Sequence, residues 1–294
     1  MTASSTTTNS TLPRRILAGL LREKRIAAGI SVEAARQAIG VSKQTFWRME
    51  TGQPTKIGRL HIKELCRLYG APESTMLVLL ELLEGASRKS WWHAYGDAVP
   101  RHFDLYLGLE SAASKLVTHQ PSLLPGLVQT EEYRRALIWA ANPEMPTEEV
   151  ERRVELATRR QTRLNDPSFE VEILLNEAAL RHQVGGWSVM AEQLDHIAAV
   201  AELPTVTVRV VPLAKCHIGL AAGRFNILTF PASRTAWLSE PPVVYLEGYA
   251  SAQYLERPAE VDLYETAAAG IRNASLDRPA SRNRVIEIAK EHRA

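Results

Sequence analysis

Gly29–Gly52, GISVEAARQAIGVSKQTFWRMETG, reads as two short helices joined by a tight turn. Ser31 is placed to cap the first, because its hydroxyl can accept from a backbone N–H that has no intrahelical partner. Ala35 and Ile39, four apart, mark one inward face. Gly40 permits the left-handed backbone that ends a helix, and Val41 plugs the core beneath the turn. Ser42 caps a second helix whose inward positions, Phe46 and Met49, stand three apart. Lys43, Gln44 and Trp47 are then left pointing outward. A helix presented in this way fits the major groove of DNA with its first residues at the base edges. Arg36 occupies a place where close helix approach favours a small side chain, so its long stem is expected to turn outward. Val32 stands where Gln often reaches a phosphate. An ordinary helical hairpin remains the plainer alternative for so short a motif.

The neighbouring segments extend the pattern. Arg14–Ala28 reads as a helix with Leu17, Leu21 and Ala28 on one side. Gly58–Tyr69 supplies Leu60, Leu65 and Leu68 and stops at Gly70, and Pro72 opens a helix through Glu84 with Leu79, Leu80 and Leu83 inward. Five helices over residues 14–84 make a bundle able to bury a core. In helix count, in order and in the R-x-x-x-G-x-S pattern at Arg25, Gly29 and Ser31, this region resembles the lambda-repressor-like (Xre-type) domain. The resemblance implies double-stranded DNA as partner and a homodimer on an inverted-repeat operator, since one short recognition helix reads few base pairs. Gln44 is expected to read a base, bidentate to adenine, and Lys43 to meet guanine or a phosphate. Ser42 and Thr45 fall near the DNA backbone at the helix N-terminus. Trp47 has two readings, stacking on sugar or thymine methyl, or packing against a neighbouring helix. Arg48 is read either as a phosphate contact or as the ion-pair partner of Glu33 or Glu50.

Charge and composition agree with this division. Residues 1–84 carry 12 Lys+Arg against 7 Asp+Glu, and the remaining residues 23 against 26, within an overall +2. A basic small domain ahead of a slightly acidic larger one suits a polyanion-binding part joined to a body with another task. The two cysteines, Cys66 and Cys216, fall in different expected domains, so a disulfide is not expected and a reducing cytoplasmic, nucleoid-associated setting fits. No apolar run approaches the roughly 20 residues that span a bilayer, so no membrane partner is expected. Residues 1–13 are expected to form a Ser/Thr-rich disordered tail. Residues 85–102, with Trp91 and Trp92, read as a linker that packs against a body.

From residue 103 onward helices and strands alternate. Phe103–Val117 reads as a helix through Leu105, Leu109, Ala112 and Leu116; Thr130 and Thr147 are placed as caps of the next two. The arginine-rich second of these is read as a solvated face with Glu149–Arg153 and Glu155–Arg159 pairs. At Phe169, Val171, Ile173 and Leu175 the period becomes two, the mark of a strand. Asn176–Gln183 and the segment after Gly185–Gly186 return to helix. Val206–Val210, Phe225–Phe230 and Val243–Leu246 are further strands, and Glu260–Arg272 and Arg278–His292 closing helices. The expected class is α+β, a five-helix domain followed by a small mixed sheet covered by helices.

Six stretches of this second region resemble the C-terminal domain of the actinomycete WhiJ-like, antitoxin-like transcriptional regulators. They are LPGLVQTEEYRRAL (Leu124–Leu137), RRQTRL (Arg159–Leu164), NEAALRHQVGG (Asn176–Gly186), MAEQLDHI (Met190–Ile197), VRVVPLAKCHIGLAAGRFNIL (Val208–Leu228) and VVYLEG (Val243–Gly248). The resemblance implies a DNA-binding regulator that works with a small partner protein encoded nearby. Catalytic candidates are sparse: His182, His196, His217, Cys216, Glu177 and Glu247 show no metal-ligand spacing, phosphate loop or nucleophile elbow. Cys216–His217 has thiolate-and-base composition, but adjacent residues seldom orient for it. The expectation is no enzyme, no cofactor and no metal. The body is then an interaction module or, alternatively, the sensor of a small molecule held between sheet and helices.

Overall fold

The computed structural model describes residues 10–87, 90–99, 101–232, 239–249 and 251–293. Residues 1–9 of the expected tail lie outside the described residues. The chain divides into two compact units. Among the described residues, one holds those within 10–94, 107–112 and 231–240; the other holds those within 95–106, 113–230 and 241–293.

Five helices build the first unit: α1 (Thr11–Ala27), α2 (Val32–Ala38), α3 (Lys43–Glu50), α4 (Arg59–Tyr69) and α5 (Glu73–Ala86). Leu17, Leu21, Ala35, Phe46, Met49, Ile62 and Leu65 are buried in one cluster with Leu79 and Leu83. Two inward assignments fail. Leu60 is 80% exposed, because it lies on the face of α4 opposite the buried stripe of Ile62, Leu65, Cys66 and Tyr69. Ala28 is exposed because α1 ends one residue earlier. At its other end α1 starts at Thr11, ahead of the expected Arg14.

The corner between α2 and α3 closes as its sequence dictates. Gly40 has φ +65°, a conformation costly for any residue with a Cβ. Its N–H donates to the Gln37 carbonyl at 3.1 Å, and the next N–H, of Val41, donates to the Arg36 carbonyl at 3.1 Å. These two bonds satisfy carbonyls that the helix end leaves open, while Val41 packs against the core.

Next come a 3₁₀ segment (Trp91–Ala98), in which Trp92 is buried, and α6 (Arg101–Ala112). The helix expected through Val117 stops at Ala112, and Lys115–Gln120 is a strand, β1. The second unit continues with α7 (Glu131–Ala141), α8 (Thr147–Gln161), β2 (Glu170–Asn176), α9 (Glu177–Arg181), α10 (Trp187–Val200), β3 (Val206–Val211), α11 (Gly219–Ala222), β4 (Phe225–Thr229), β5 (Val243–Glu247), β6 (Ala252–Leu255), α12 (Pro258–Ala274) and α13 (Arg278–Glu291). Thr130 caps α7, its hydroxyl accepting from the Tyr133 N–H at 3.3 Å. Thr147 is the first residue of α8 and not its cap, a place taken by Pro146.

The sheet has the order β3-β2-β1-β4-β5-β6. β1, β2 and β3 run parallel, and β4 pairs antiparallel with the other side of β1, followed by antiparallel β5 and β6. Parallel neighbours need long crossovers, supplied by α7 and α8 and then by α9 and α10. β2 is buried along all but its first residue, as a central strand covered on both faces should be. Glu172 on this strand receives Arg272 of α12 in a two-pronged pair at 2.7 and 2.6 Å. The overall class is α+β, with six strands where the periodicity shows four.

Candidate nucleic-acid interface

The outward face of α3 starts from its cap. The Ser42 hydroxyl accepts from the Thr45 N–H at 3.1 Å and lies 2.9 Å from the Thr45 hydroxyl, which anchors the first turn. Ser31 does the same for α2, accepting from the Ala34 N–H at 3.1 Å. With Phe46 and Met49 buried, the helical period turns Lys43, Gln44, Trp47 and Arg48 to solvent, and Thr45 stays half-buried. Trp47 is 56% exposed, so its ring is not seated in the core. All six candidate residues, Ser42, Lys43, Gln44, Thr45, Trp47 and Arg48, thus lie on one helix and its cap.

Neighbouring charges are arranged so that the acids are already engaged. Arg36 turns outward and grips Glu33, its Nε donating to Oε2 at 2.7 Å, while Gln37 donates to Oε1 at 2.6 Å. The Arg36 guanidinium holds the Glu33 carboxyl below the usual carboxylate range, and Lys43 adds to its field. Glu50 is taken by Arg25. The guanidinium of Arg25 donates from Nε to Oε1 at 2.6 Å and from Nη2 to Oε2 at 3.0 Å, and its Nη1 donates to the Ile30 carbonyl at 3.0 Å. Both expected partners of Arg48 are therefore occupied, and among the described residues no ion pair holds it.

Arg25 escaped the sequence reading as a functional residue. One side chain ties α1 to the end of α3 and to the loop before α2, which fixes the pose of the exposed helix. Nothing local announces a pair 25 positions apart; only the R-x-x-x-G-x-S pattern marks the arginine.

In the second unit the catalytic candidates disperse. Cys216 and His182 are exposed, and His196 is half-buried. Glu177 is buried against Arg181 at 2.8 Å, and Glu247 faces Arg224 at 3.7 Å. His217 is buried; its Nδ1 accepts from the Gly219 N–H at 3.2 Å, and Asn176 lies 3.5 Å from its Nε2. His119, which the sequence did not single out, stacks edge-on at 5.9 Å and donates from Nδ1 to the Leu174 carbonyl. Burial holds both imidazoles below the ordinary histidine range. Among the described residues no group of three or more His, Cys, Asp or Glu is placed to hold a metal ion. No helix among them is long and apolar enough to cross a membrane.

Residues 16–79 match a family described as a helix-turn-helix domain. Residues 103–287 match a family described as a domain of unknown function (DUF5753). No curated protein and no solved structure gives a significant match.

Proposed function

Because the chain belongs to the DUF5753 family and carries a helix-turn-helix domain ahead of the matched region, we propose that it is a sequence-specific DNA-binding transcriptional regulator and not an enzyme. It acts in the cytoplasm as a homodimer on inverted half-sites. The observation that carries the reading is the open face of α3, where Lys43, Gln44, Trp47 and Arg48 are exposed on a helix fixed by its cap, its core anchors and the Arg25 clamp. Gln44 reads adenine, Lys43 a guanine or phosphate, and Ser42 and Thr45 approach the backbone. Trp47 stacks on sugar or a thymine methyl, and Arg48 meets a phosphate.

Gln44→Ala is expected to cost about 1–3 kcal/mol of discrimination between operator and random DNA at fixed salt, measured by gel-shift titration. Lys43→Ala is expected to weaken both complexes alike and to lower the salt slope by about one charge if it contacts phosphate. An unchanged Gln44 variant sinks the placement of this helix. Sequencing the fragments retained by the purified protein supplies the operator.

The second unit engages a small partner protein. Ile218, Leu220 and Leu263 are exposed around α11 and α12, an apolar surface suited to a docking role. Light scattering with and without the co-expressed neighbour protein tests both dimer and partner. An alternative, in which the second unit senses a small molecule, is favoured by one observation: among the described residues no carboxylate stands within ion-pair distance of the buried Arg134 guanidinium.

A further inference from the structure

Among the described residues several guanidinium groups are matched to carboxylates. Arg25 has Glu50, Arg272 has Glu172, and Arg135 has Glu151 at 2.7 Å. Arg134, on α7, is not. Its Nη1 donates to the neutral amide of Gln129 at 3.3 Å, and its Nε is sealed from solvent with no acceptor. Among the described residues no carboxylate lies within ion-pair distance of it. Burial pulls it down to about 10, repulsion from Arg160 and Arg153 adds to that, and the Glu247 carboxylate works the other way without bonding it. Arg160 is itself buried, its guanidinium 5.0 Å above the Phe103 ring and 5.8 Å from that of Tyr106.

A second orphan donor shares the Tyr106 ring with Arg160. Tyr245 on β5 is 1% exposed, its ring 4.4 Å from Tyr106, and its hydroxyl has no hydrogen-bond partner. Burial first and the Glu247 charge second push its phenol up, while Arg224 and Arg160 act in the opposite sense. The backbone is shaped around the same spot: a Cβ on Gly126 would stand 3.3 Å from Arg160 Nη1. Gln161 fixes that loop by donating to the Gly126 and Gln129 carbonyls at 3.1 and 2.6 Å. Three stretches far apart in sequence, LPGLVQTEEYRRAL, RRQTRL and VVYLEG, supply Arg134, Arg160 and Tyr245.

A buried guanidinium N–H and a buried hydroxyl without acceptors are costly unless something completes them, and Glu247, though in the field of both, bonds neither. We propose that the second unit binds a small organic oxyanion, its carboxylate or phosphate taken by Arg134 and the Tyr245 hydroxyl and its remainder set against the aromatic wall of Tyr106 and Phe103. A guanidinium and a hydroxyl recognise the oxygens of either group by charge-assisted hydrogen bonds. This deepens the sensing alternative and rests on it.

The test follows thermal unfolding of the full chain without DNA, at ionic strength held constant with sodium chloride. Inorganic phosphate and benzoate serve as the two probes. A saturable upward shift of the second unit's melting temperature is expected with at least one, and which one separates phosphate from carboxylate ligands. Arg134→Met is expected to weaken that response about tenfold or more while leaving the melting temperature without anion unchanged or raised, since it removes a charge that lacks a counterion. Tyr245→Phe keeps the ring packing, so the protein should melt as before with a weaker response. Lys215→Gln, at an exposed site, should respond like the wild type.

No saturable shift with either probe overturns the proposal. So does a response that survives both Arg134→Met and Tyr245→Phe, because the anion then sits elsewhere. Binding lost in these variants with operator affinity indifferent to the anion would keep the site and reject the sensing role. A shift produced only by uncharged metabolites would keep the sensing role and reject the site.

Discussion

Replacing Arg25 by Met is expected to destabilise the first unit by about 3–5 kcal/mol, the cost of leaving a buried carboxylate without its partner. The pair is enclosed, with side-chain exposures of 12% for Arg25 and 8% for Glu50. The wall around it includes the buried Tyr69, whose phenol is pushed up first by burial and then by the Glu50 charge. Urea unfolding, resolved by hydrogen exchange at the α1–α4 amides, should show the loss confined to this unit. The double variant Arg25→Met/Glu50→Leu should recover most of it, because two apolar groups need no mutual charge. DNA affinity gives the functional readout. If the clamp sets the pose of α3, the double variant folds yet binds operator more weakly. Full affinity in a stable double variant would show that the core alone orients the helix.

Phe46→Ala carries the second large effect, about 3–5 kcal/mol. Phe46 is fully buried and is the largest anchor on the inner face of α3. A small domain holds only about 5–15 kcal/mol in total, so the variant should leave much of the first unit unfolded near 37 °C. Operator binding should disappear with it, and hydrogen exchange should report opening at α3 amides first. Phe46→Leu, close in shape, should cost about 1.5 kcal/mol or less and keep binding. A Phe46→Ala protein with native melting behaviour would mean that α3 is not held by its apolar face.

Much of the first unit could be read from its residues because its signals are local. Ser31, Ser42 and Gly40 act within one turn of themselves, and Phe46 and Met49 follow the helical period. Leu60 misled because the inward stripe of α4 runs through Ile62, Leu65, Cys66 and Tyr69, and Leu60 faces away from it. β1 was missed for a related reason: Leu116 continues the spacing of Leu105, Leu109 and Ala112, so a helix ending at Ala112 and a strand starting at Lys115 read as one element. β6 is an edge strand whose residues are half-buried or exposed, so no alternation reveals it. The Arg25–Glu50 clamp and the company of Arg134 and Tyr245 depend on chain paths that no spacing rule supplies.

The two thiols lie in opposite surroundings. Cys66 is buried in the core of the first unit, where burial raises its thiol, while Cys216 stands open in the second. An alkylating reagent should therefore modify one sulfur at once and the other only when the bundle comes apart. The time course of the second modification would time that opening without any foreign label, and operator DNA should lengthen it if it closes over the helix that the bundle displays.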